Sequence, residues 1–263
     1  IKRDDRRMFM EVRNLSVHFG GVKALSNIFL DVSKGEVRSV IGPNGAGKTT
    51  LFNVISGLIK PDSGSIIFAG EEIIREKPWE ISKKGIARTF QNSQLFITMT
   101  ALENVATGMH RHIRSGVFSS ALAVPAFHRE ESEVSQEAKR LMEFVGLKGL
   151  EEYPSSSLAF GQQRLLELAR ALATNPKMLL LDEPVAGMNY EEKQRLALLL
   201  IKIRQELGIT ILLVEHDIKW VMQVSDLISV LDYGEKIAEG EPMEIKKDER
   251  VIEAYLGKRR KFA

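Results

Sequence analysis

The sequence predicts an α/β fold with a parallel β-sheet core, an N-terminal antiparallel β subdomain and an inserted α-helical subdomain. Short, wholly apolar runs that end in polar residues are typical of strands buried on both faces of a parallel sheet. Near the N-terminus, apolar and polar residues alternate instead, as in half-buried antiparallel strands. From 92 to 157 strand signals are scarce and apolar residues keep helical spacing. We therefore predict a core of residues 1–91 and 158–263, with 92–157 as the helical insert.

The first predicted elements are two antiparallel strands. Apolar residues alternate with polar ones from Met10 to Phe19, Gly20 and Gly21 form a turn, and a second alternation ends at Val32. Phe19 stands at the end of its strand, where an aromatic ring can stack on a nucleotide base. A place in the apolar core is the alternative interpretation of Phe19.

A phosphate-binding loop follows the next strand. Val37 to Ile41 form an apolar run, and Leu51 to Leu58 have helix-like spacing. The residues between them fit the pattern G-x-x-x-x-G-K-[ST], in which backbone N–H groups at a helix N-terminus bind phosphate oxygens. Lys48 is predicted to contact the β- and γ-phosphates, and Thr49 to bind Mg²⁺. A glycine-rich turn with a solvated lysine is the alternative. The predicted nucleotide-binding residues here are Gly42, Pro43, Asn44, Gly45, Ala46, Gly47, Lys48, Thr49 and Thr50.

A second buried strand ends in two adjacent acids. Met178 to Leu181 are apolar, and Asp182 and Glu183 follow directly. Ligands bind at the carboxyl ends of strands in open α/β sheets. Asp182 is therefore predicted to hold Mg²⁺, and Glu183 to polarise an attacking water.

Two further strand ends carry candidate residues. Thr210 to Val214 form a buried strand, expected beside the Asp182 strand, and His216 follows it. His216 is predicted to contact the γ-phosphate, although a lone histidine is usually structural. Residues 85–91 are predicted as a strand that ends on Gln91, which in isolation would be an ordinary strand-end amide.

Composition limits the classes of function. The 263 residues contain no cysteine, which excludes disulfides, thiolate metal sites and cysteine nucleophiles. With 37 basic and 35 acidic residues the formal net charge is +2, which does not favour a nucleic-acid partner. No run reaches the ~18 uncharged apolar residues of a membrane span, and the charged start is not expected to be a signal peptide. Basic residues at both ends are interpreted as solvated tails, or as weakly attracted to an anionic membrane face.

The order of these motifs resembles that of ATP-binding cassette (ABC) ATPases. The phosphate loop and the Asp182 strand alone would indicate only a P-loop NTPase with a RecA-like core. Two further motifs, together with Gln91 and His216, distinguish ABC ATPases from other P-loop NTPases. These motifs are the family signature, Leu158, Ala159, Phe160, Gly161 and Gln162, and the D-loop, Ala186, Gly187, Met188 and Asn189. Ala159 replaces the usual serine and Asn189 the more usual aspartate.

Within this family the chain resembles the ATP-binding subunits of branched-chain amino-acid importers. The resemblance rests on Gln163 and Arg164 after the signature, the turn 185–189, the insert 116–133 and the ending 254–257. Lipopolysaccharide-export ATPases are similar and remain an alternative, as does a non-transport ABC ATPase. The uncharged segment 117–127 is predicted to be either a hairpin packed on its own subdomain or an exposed surface for a partner.

The resemblance implies a mechanism and a set of partners. Two ATP-binding subunits, identical or different, would bind ATP and Mg²⁺ head to tail, each nucleotide lying between one phosphate loop and the other subunit's signature. Lys48, Glu183 and His216 would be catalytic, and Thr49, Gln91 and Asp182 would contact the metal. Membrane permease subunits would dock beside residues 92–96 and would receive substrate from a binding protein. The chain is thus expected at the cytoplasmic face of the cell membrane, without a transmembrane segment.

Overall fold

The computed structural model describes residues 8–90, 94–109 and 125–256. For residues 125–130 it describes the backbone only. The chain divides into two compact units. In the described ranges, unit 1 contains residues 8–88, 177–185 and 193–256, and unit 2 contains 89–90, 94–109, 125–176 and 186–192. Gln91 and most of the segment 117–127 lie outside the described residues. The division predicted from the sequence therefore stays a prediction.

Unit 1 begins with an antiparallel sheet in the order β2-β1-β4-β5. Long strands form because β1 alternates buried and exposed side chains, so that one face covers an apolar core. The strands are β1 (Met8–Phe19), β2 (Val22–Ser33), β4 (Ser63–Phe68) and β5 (Glu71–Glu72).

A second, six-stranded sheet in unit 1 has the order β10-β9-β3-β8-β7-β6. Neighbours from β9 to β6 are parallel, and β10 adds an antiparallel edge. β3, β7 and β8 are buried along their whole lengths, which explains their continuous apolar sequences. The predicted α/β fold class is confirmed. The strands are β3 (Val37–Ile41), β6 (Ile86–Arg88), β7 (Met178–Asp182), β8 (Thr210–Val214), β9 (Leu227–Asp232) and β10 (Glu235–Gly240).

The helices of the described ranges alternate with these strands along the chain. They are α1 (Lys48–Ile55), α2 (Pro78–Lys84), α3 (Ala101–Met109), α4 (Pro125–Val145), α5 (Phe160–Ala173), α6 (Tyr190–Leu207), α7 (Ile218–Val224), α8 (Pro242–Ile245) and α9 (Glu249–Leu256). In unit 2, α3, α4 and α5 pack against one another. Within the described ranges, none of these helices is long and apolar enough to cross a membrane.

Two predicted element boundaries were wrong. β6 ends at Arg88, where its pairing with β7 stops at Leu180, so the strand does not continue to 91. The helix after the phosphate loop begins at Lys48 instead of Leu51. Lys48 and Thr49 consequently lie in the first helical turn, where backbone N–H groups lack helical partners.

Candidate active site

The phosphate loop connects β3 to α1 through a turn that requires glycine. Gly47, the residue before α1, has φ of 102°, in the left-handed region. A Cβ atom at Gly47 would lie 2.5 Å from the Ala24 carbonyl oxygen and 2.8 Å from Leu25 Cδ2. The loop therefore packs directly on β2, and any side chain at position 47 would push it away.

Lys48 is held by the loop that it follows. Its Nζ donates hydrogen bonds to the carbonyl oxygens of Gly42, at 2.8 Å, and Pro43, at 2.9 Å. Burial lowers the pKa of the Lys48 ammonium, while the nearby charges of Glu183 and Asp182 oppose that shift. The charges of both predicted acids thus act on the predicted phosphate-binding cation.

Asp182 belongs to a buried polar network that the sequence did not indicate. Arg88 Nη2 donates to Asp182 Oδ2 at 2.8 Å, and both side chains are buried. The other terminal nitrogen, Nη1, donates to Asn53 Oδ1 and Ser56 Oγ, each at 2.8 Å. The Arg88 guanidinium also lies 5.6 Å from the centre of the Phe52 ring. One arginine therefore connects α1 to the end of β7.

Glu183 and His216 lie side by side, as the order of the strands requires. β7 and β8 are parallel neighbours, with Asp182 opposite Val214, so the predicted adjacency of these strands is confirmed. His216 Nδ1 lies 3.7 Å from Glu183 Oε2. Glu183 has φ of 48°, unusual for a residue other than glycine, and its N–H donates to the Val214 carbonyl at 2.9 Å. Residues held in such conformations cluster at functional sites.

Glu215, next to His216, is fully buried. The sequence places it at the end of β8 but gives no sign of its contacts, because these come from backbone groups. Its Oε1 accepts the N–H of Val185 at 3.0 Å, and its Oε2 accepts the N–H groups of His216 at 2.8 Å and Asp217 at 3.1 Å.

Phe19 is half exposed, at 51%, at the end of β1. The ring is therefore accessible at the strand end where base stacking was predicted. The stacking role itself stays a prediction.

In unit 2 the signature residues begin α5. Ala159 precedes the first helical residue, Phe160, and has no side-chain oxygen to cap the helix. The reverse half of a capping box is present, because Gln162 Oε1 accepts the Ala159 N–H at 3.0 Å. Gln163 Nε2 donates to the Leu158 carbonyl at 3.0 Å. Side chains on α5 thus fix the backbone that leads into the helix N-terminus.

The D-loop lies against the signature in the same unit. Asn189 caps α6, since its Oδ1 accepts the Glu192 N–H at 3.0 Å and Glu192 Oε2 accepts the Asn189 N–H at 2.8 Å. The Glu192 carboxylate also closely approaches Gly161, and the Phe160 ring closely approaches Gly187. Asn189 therefore acts as the N-cap of α6, which gives this residue a structural role.

The residues present fit Mg²⁺ bound together with a nucleotide. Among the described residues, no three His, Cys, Asp or Glu side chains form a cluster that could hold a metal alone. Mg²⁺ bound with nucleotides commonly takes one or two protein ligands, phosphate oxygens and waters. Thr49 and Asp182 offer the required oxygen donors, on elements that pack together, α1 and β7. Gln91, the third predicted metal contact, lies outside the described ranges.

Comparison with known sequences identifies relatives over nearly the whole chain. The family described as "ABC transporter" matches residues 25–186. The family "Branched-chain amino acid ATP-binding cassette transporter" matches residues 235–261. The high-affinity branched-chain amino acid transport ATP-binding protein BraF of Pseudomonas aeruginosa is 44% identical over 251 residues, which cover 95% of this chain and 98% of BraF.

Solved structures agree with these matches. The ADP conformation of MJ1267, an ATP-binding cassette of an ABC transporter, matches with a TM-score of 0.83 at 35% identity, covering 95% of this chain and 99% of that one. MJ0796, a dimeric ABC transporter cassette bound to ADP and phosphate, matches with a TM-score of 0.76 at 27% identity, covering 89% and 98%.

Proposed function

This chain belongs to the ABC transporter family of ATP-binding cassettes, and we propose that it hydrolyses ATP to power the uptake of branched-chain amino acids. The observation that supports the ATPase most strongly is that His216 Nδ1 lies 3.7 Å from Glu183 Oε2, at the end of strand β7, on which the phosphate-loop helix α1 packs. The amino-acid class is supported by the similarity to BraF and by the match of residues 235–261. That C-terminal match favours the importer subgroup over lipopolysaccharide export.

In the proposed mechanism the phosphate loop binds and orients the nucleotide. Backbone N–H groups at the start of α1 would bind the phosphates, and Lys48 would neutralise charge on the β- and γ-phosphates. The Lys48 ammonium has three N–H donors, and two of them bond loop carbonyls, so contacts with two phosphates would replace at least one of these hydrogen bonds. Phe19 would stack on the base.

Glu183 would act as general base, and His216 would contact the γ-phosphate. The Glu183 carboxylate would orient the attacking water and accept its proton. His216, 3.7 Å away, would donate a hydrogen bond to the transferred phosphoryl group. Thr49 and Asp182 would hold Mg²⁺, with Gln91 as a further contact. The bound Mg²⁺ would offset the negative charge of the phosphates.

Two ATP-binding subunits would form the working unit. We infer a head-to-tail pair in which residues 158–162 of one subunit cover the γ-phosphate bound to the other. The signature lies at a helix N-terminus, which favours anions even without a serine at Ala159. The related MJ0796 cassette forms a dimer with ADP and phosphate bound, which supports the pairing of two subunits. D-loop residues 186–189 would contribute to the same interface.

Binding of ATP between the two subunits would close the pair. Membrane-spanning permease subunits docked on the pair would move with it. Their proposed docking segment includes Phe96, whose ring is half exposed. Its backbone is anchored, because Asn104 Oδ1 accepts the Phe96 N–H at 2.9 Å and Ser155 Oγ donates to the Phe96 carbonyl at 2.9 Å. In this proposal the chain would be peripheral, at the cytoplasmic face of the membrane, and a substrate-binding protein would deliver the amino acid to the permease.

Two substitutions separate ATP binding from hydrolysis. Glu183→Gln should keep ATP affinity but lower kcat by about 100-fold or more, the size of a general-base contribution. Lys48→Ala should instead weaken ATP binding, because it removes the phosphate-binding cation. Phosphate release and equilibrium nucleotide binding measure the two effects.

Glu72→Gln, the same chemical change on the exposed strand β5, is the matched control and should alter neither quantity. Near-normal turnover in Glu183→Gln would remove Glu183 from the proposed role. For the transported substrate, vesicles containing the complete complex should accumulate leucine with the wild-type subunit but not with Glu183→Gln.

A further inference from the structure

We propose that Glu215 is a positioning residue for hydrolysis, acting through His216; this inference rests on the proposed ATPase function. The side chain is too deeply buried to meet the nucleotide. Its role follows from where its two oxygen atoms lie.

The Glu215 carboxylate joins the ends of two neighbouring strands. Oε2 binds the backbone N–H groups of His216 and Asp217, which follow β8. Oε1 binds the backbone N–H of Val185, two residues beyond Glu183 and after β7. Glu183 and His216 are carried by these two strand ends, so one buried side chain links the segments that carry them, in addition to the hydrogen bond from the Glu183 N–H to the Val214 carbonyl.

The position of His216 depends strongly on this backbone contact. Its side chain is 57% exposed, so packing restrains the ring little. Nδ1 lies 3.7 Å from Oε2 of Glu183 and 3.7 Å from Oε2 of Glu215. The ring thus lies near two carboxylates, that of Glu183, the proposed general base, and that of the buried Glu215. Its position there depends on the position of the His216 backbone.

Only a carboxylate satisfies all three N–H groups. Each of its oxygens is an acceptor, whereas a glutamine has one acceptor oxygen and an NH₂ group that donates. In a Glu215→Gln variant the NH₂ group must face at least one backbone N–H, and that strand end must shift to relieve the contact. Displacements of about 1 Å can lower turnover about 100-fold without removing any reacting group.

Hydrogen bonds other than those to Glu215 also hold the start of α7. Lys193 Nζ donates to Asp217 Oδ2 at 2.7 Å, and Asp217 Oδ1 accepts the Trp220 N–H at 3.1 Å. These contacts do not involve Glu215. We therefore expect a Glu215→Gln variant to fold, with the change confined to the two strand ends.

Another buried glutamate in unit 1 provides the control. Glu36 is also buried; its Oε1 accepts a hydrogen bond from Arg38 Nε at 2.6 Å, and its Oε2 accepts one from the Ser33 N–H at 2.9 Å. It precedes β3, at the end opposite the phosphate loop. Glu36→Gln should lower the thermal midpoint without changing kcat or the KM for ATP.

The first test measures kcat, KM and thermal midpoint for both variants. Glu215→Gln should lower kcat about 10- to 100-fold while the KM for ATP stays within about twofold, because the phosphate loop is unchanged. A kcat within about twofold of wild type in the folded protein, or a loss confined to KM, would overturn the proposal.

A Glu215→Asp variant keeps both acceptor oxygens, and its kcat should lie between those of wild type and Glu215→Gln. If neither variant folds, Glu215 is a folding residue and the proposal is wrong.

A double-mutant cycle shows whether Glu215 acts through His216. In a His216→Ala background, assayed by single turnover, Glu215→Gln should lower the rate clearly less than in the wild-type background, because the part of its effect that acts through His216 is gone. An unchanged full loss in that background would contradict the proposal. Absence of ATPase activity in the wild-type protein would instead refute the proposed function, so the two failures are distinguishable.

Discussion

Arg88 shows how much of the site depends on one buried side chain. It donates hydrogen bonds to Asp182, Asn53 and Ser56, and so joins a strand end to the phosphate-loop helix. Removing one partner of a buried ion pair leaves the other charge without compensation, at a cost of about 3–5 kcal/mol. Arg88→Ala should therefore lower the free energy of unfolding by about that amount, measured by urea denaturation.

The control for Arg88 is an exposed pair with a similar separation. Arg250 Nη2 lies 2.7 Å from Asp248 Oδ2, but Arg250 is largely solvent exposed. Solvent screens such pairs, so Arg250→Ala should leave the urea midpoint nearly unchanged. Equal midpoints for the two variants would show that burial does not strengthen the Arg88 contact.

At the residue scale, sequence reasoning predicted candidate catalytic and metal-binding residues but not the buried side chains that hold them in place. The spacing of the sequence motifs reflects the chemistry of the residues that they contain, which include Lys48, Asp182, Glu183 and His216. Arg88 and Glu215 act on partners 94 and 30 residues away in the chain. Such contacts follow from sheet order and register, which a local pattern does not contain.

Among the elements, the phosphate-loop turn gives the sharpest prediction. Gly47→Ala would place a methyl group 2.5 Å from the Ala24 carbonyl oxygen, on a residue that already has positive φ. The loop should move away from β2, and ATP affinity should fall by at least about tenfold, because the phosphate-binding N–H groups move with it.

Gly208→Ala separates this clash from backbone strain. Gly208 also has positive φ, of 65°, but a Cβ there meets no atom within 4 Å. The left-handed conformation alone should cost about 1–2 kcal/mol of stability, with ATP affinity unchanged. Equal ATP affinities for the two variants, measured by equilibrium titration, would refute the proposed packing of the loop on β2.

Strands with a continuous apolar run were predicted well, whereas the end of the three-residue strand β6 and the shortest helices were not. β7 and β8 are continuous apolar runs bounded by polar residues, so both burial and length are visible in the sequence. β6 has only three residues, and its end depends on pairing with β7. The seven-residue helices α2 and α7 likewise lack enough turns to show a period.

For the whole molecule, the order of motifs was more informative than any single element. Many P-loop proteins share the phosphate loop and the acidic strand end, whereas the signature, D-loop and His216 in that order indicate the ABC family from the sequence alone. The matches over residues 25–186 and 235–261 support the same assignment. The transported substrate could be predicted only through resemblance, because no motif of the sequence is specific to an amino acid.

The central claim is that ATP joins two copies of this cassette, and sedimentation of the Glu183→Gln variant tests it most directly. With MgATP the variant should sediment as a dimer, because nucleotide binds but is not hydrolysed. Without nucleotide, or with Lys48→Ala added, it should remain a monomer. A monomer at every protein concentration, with ATP shown to be bound, would contradict the account.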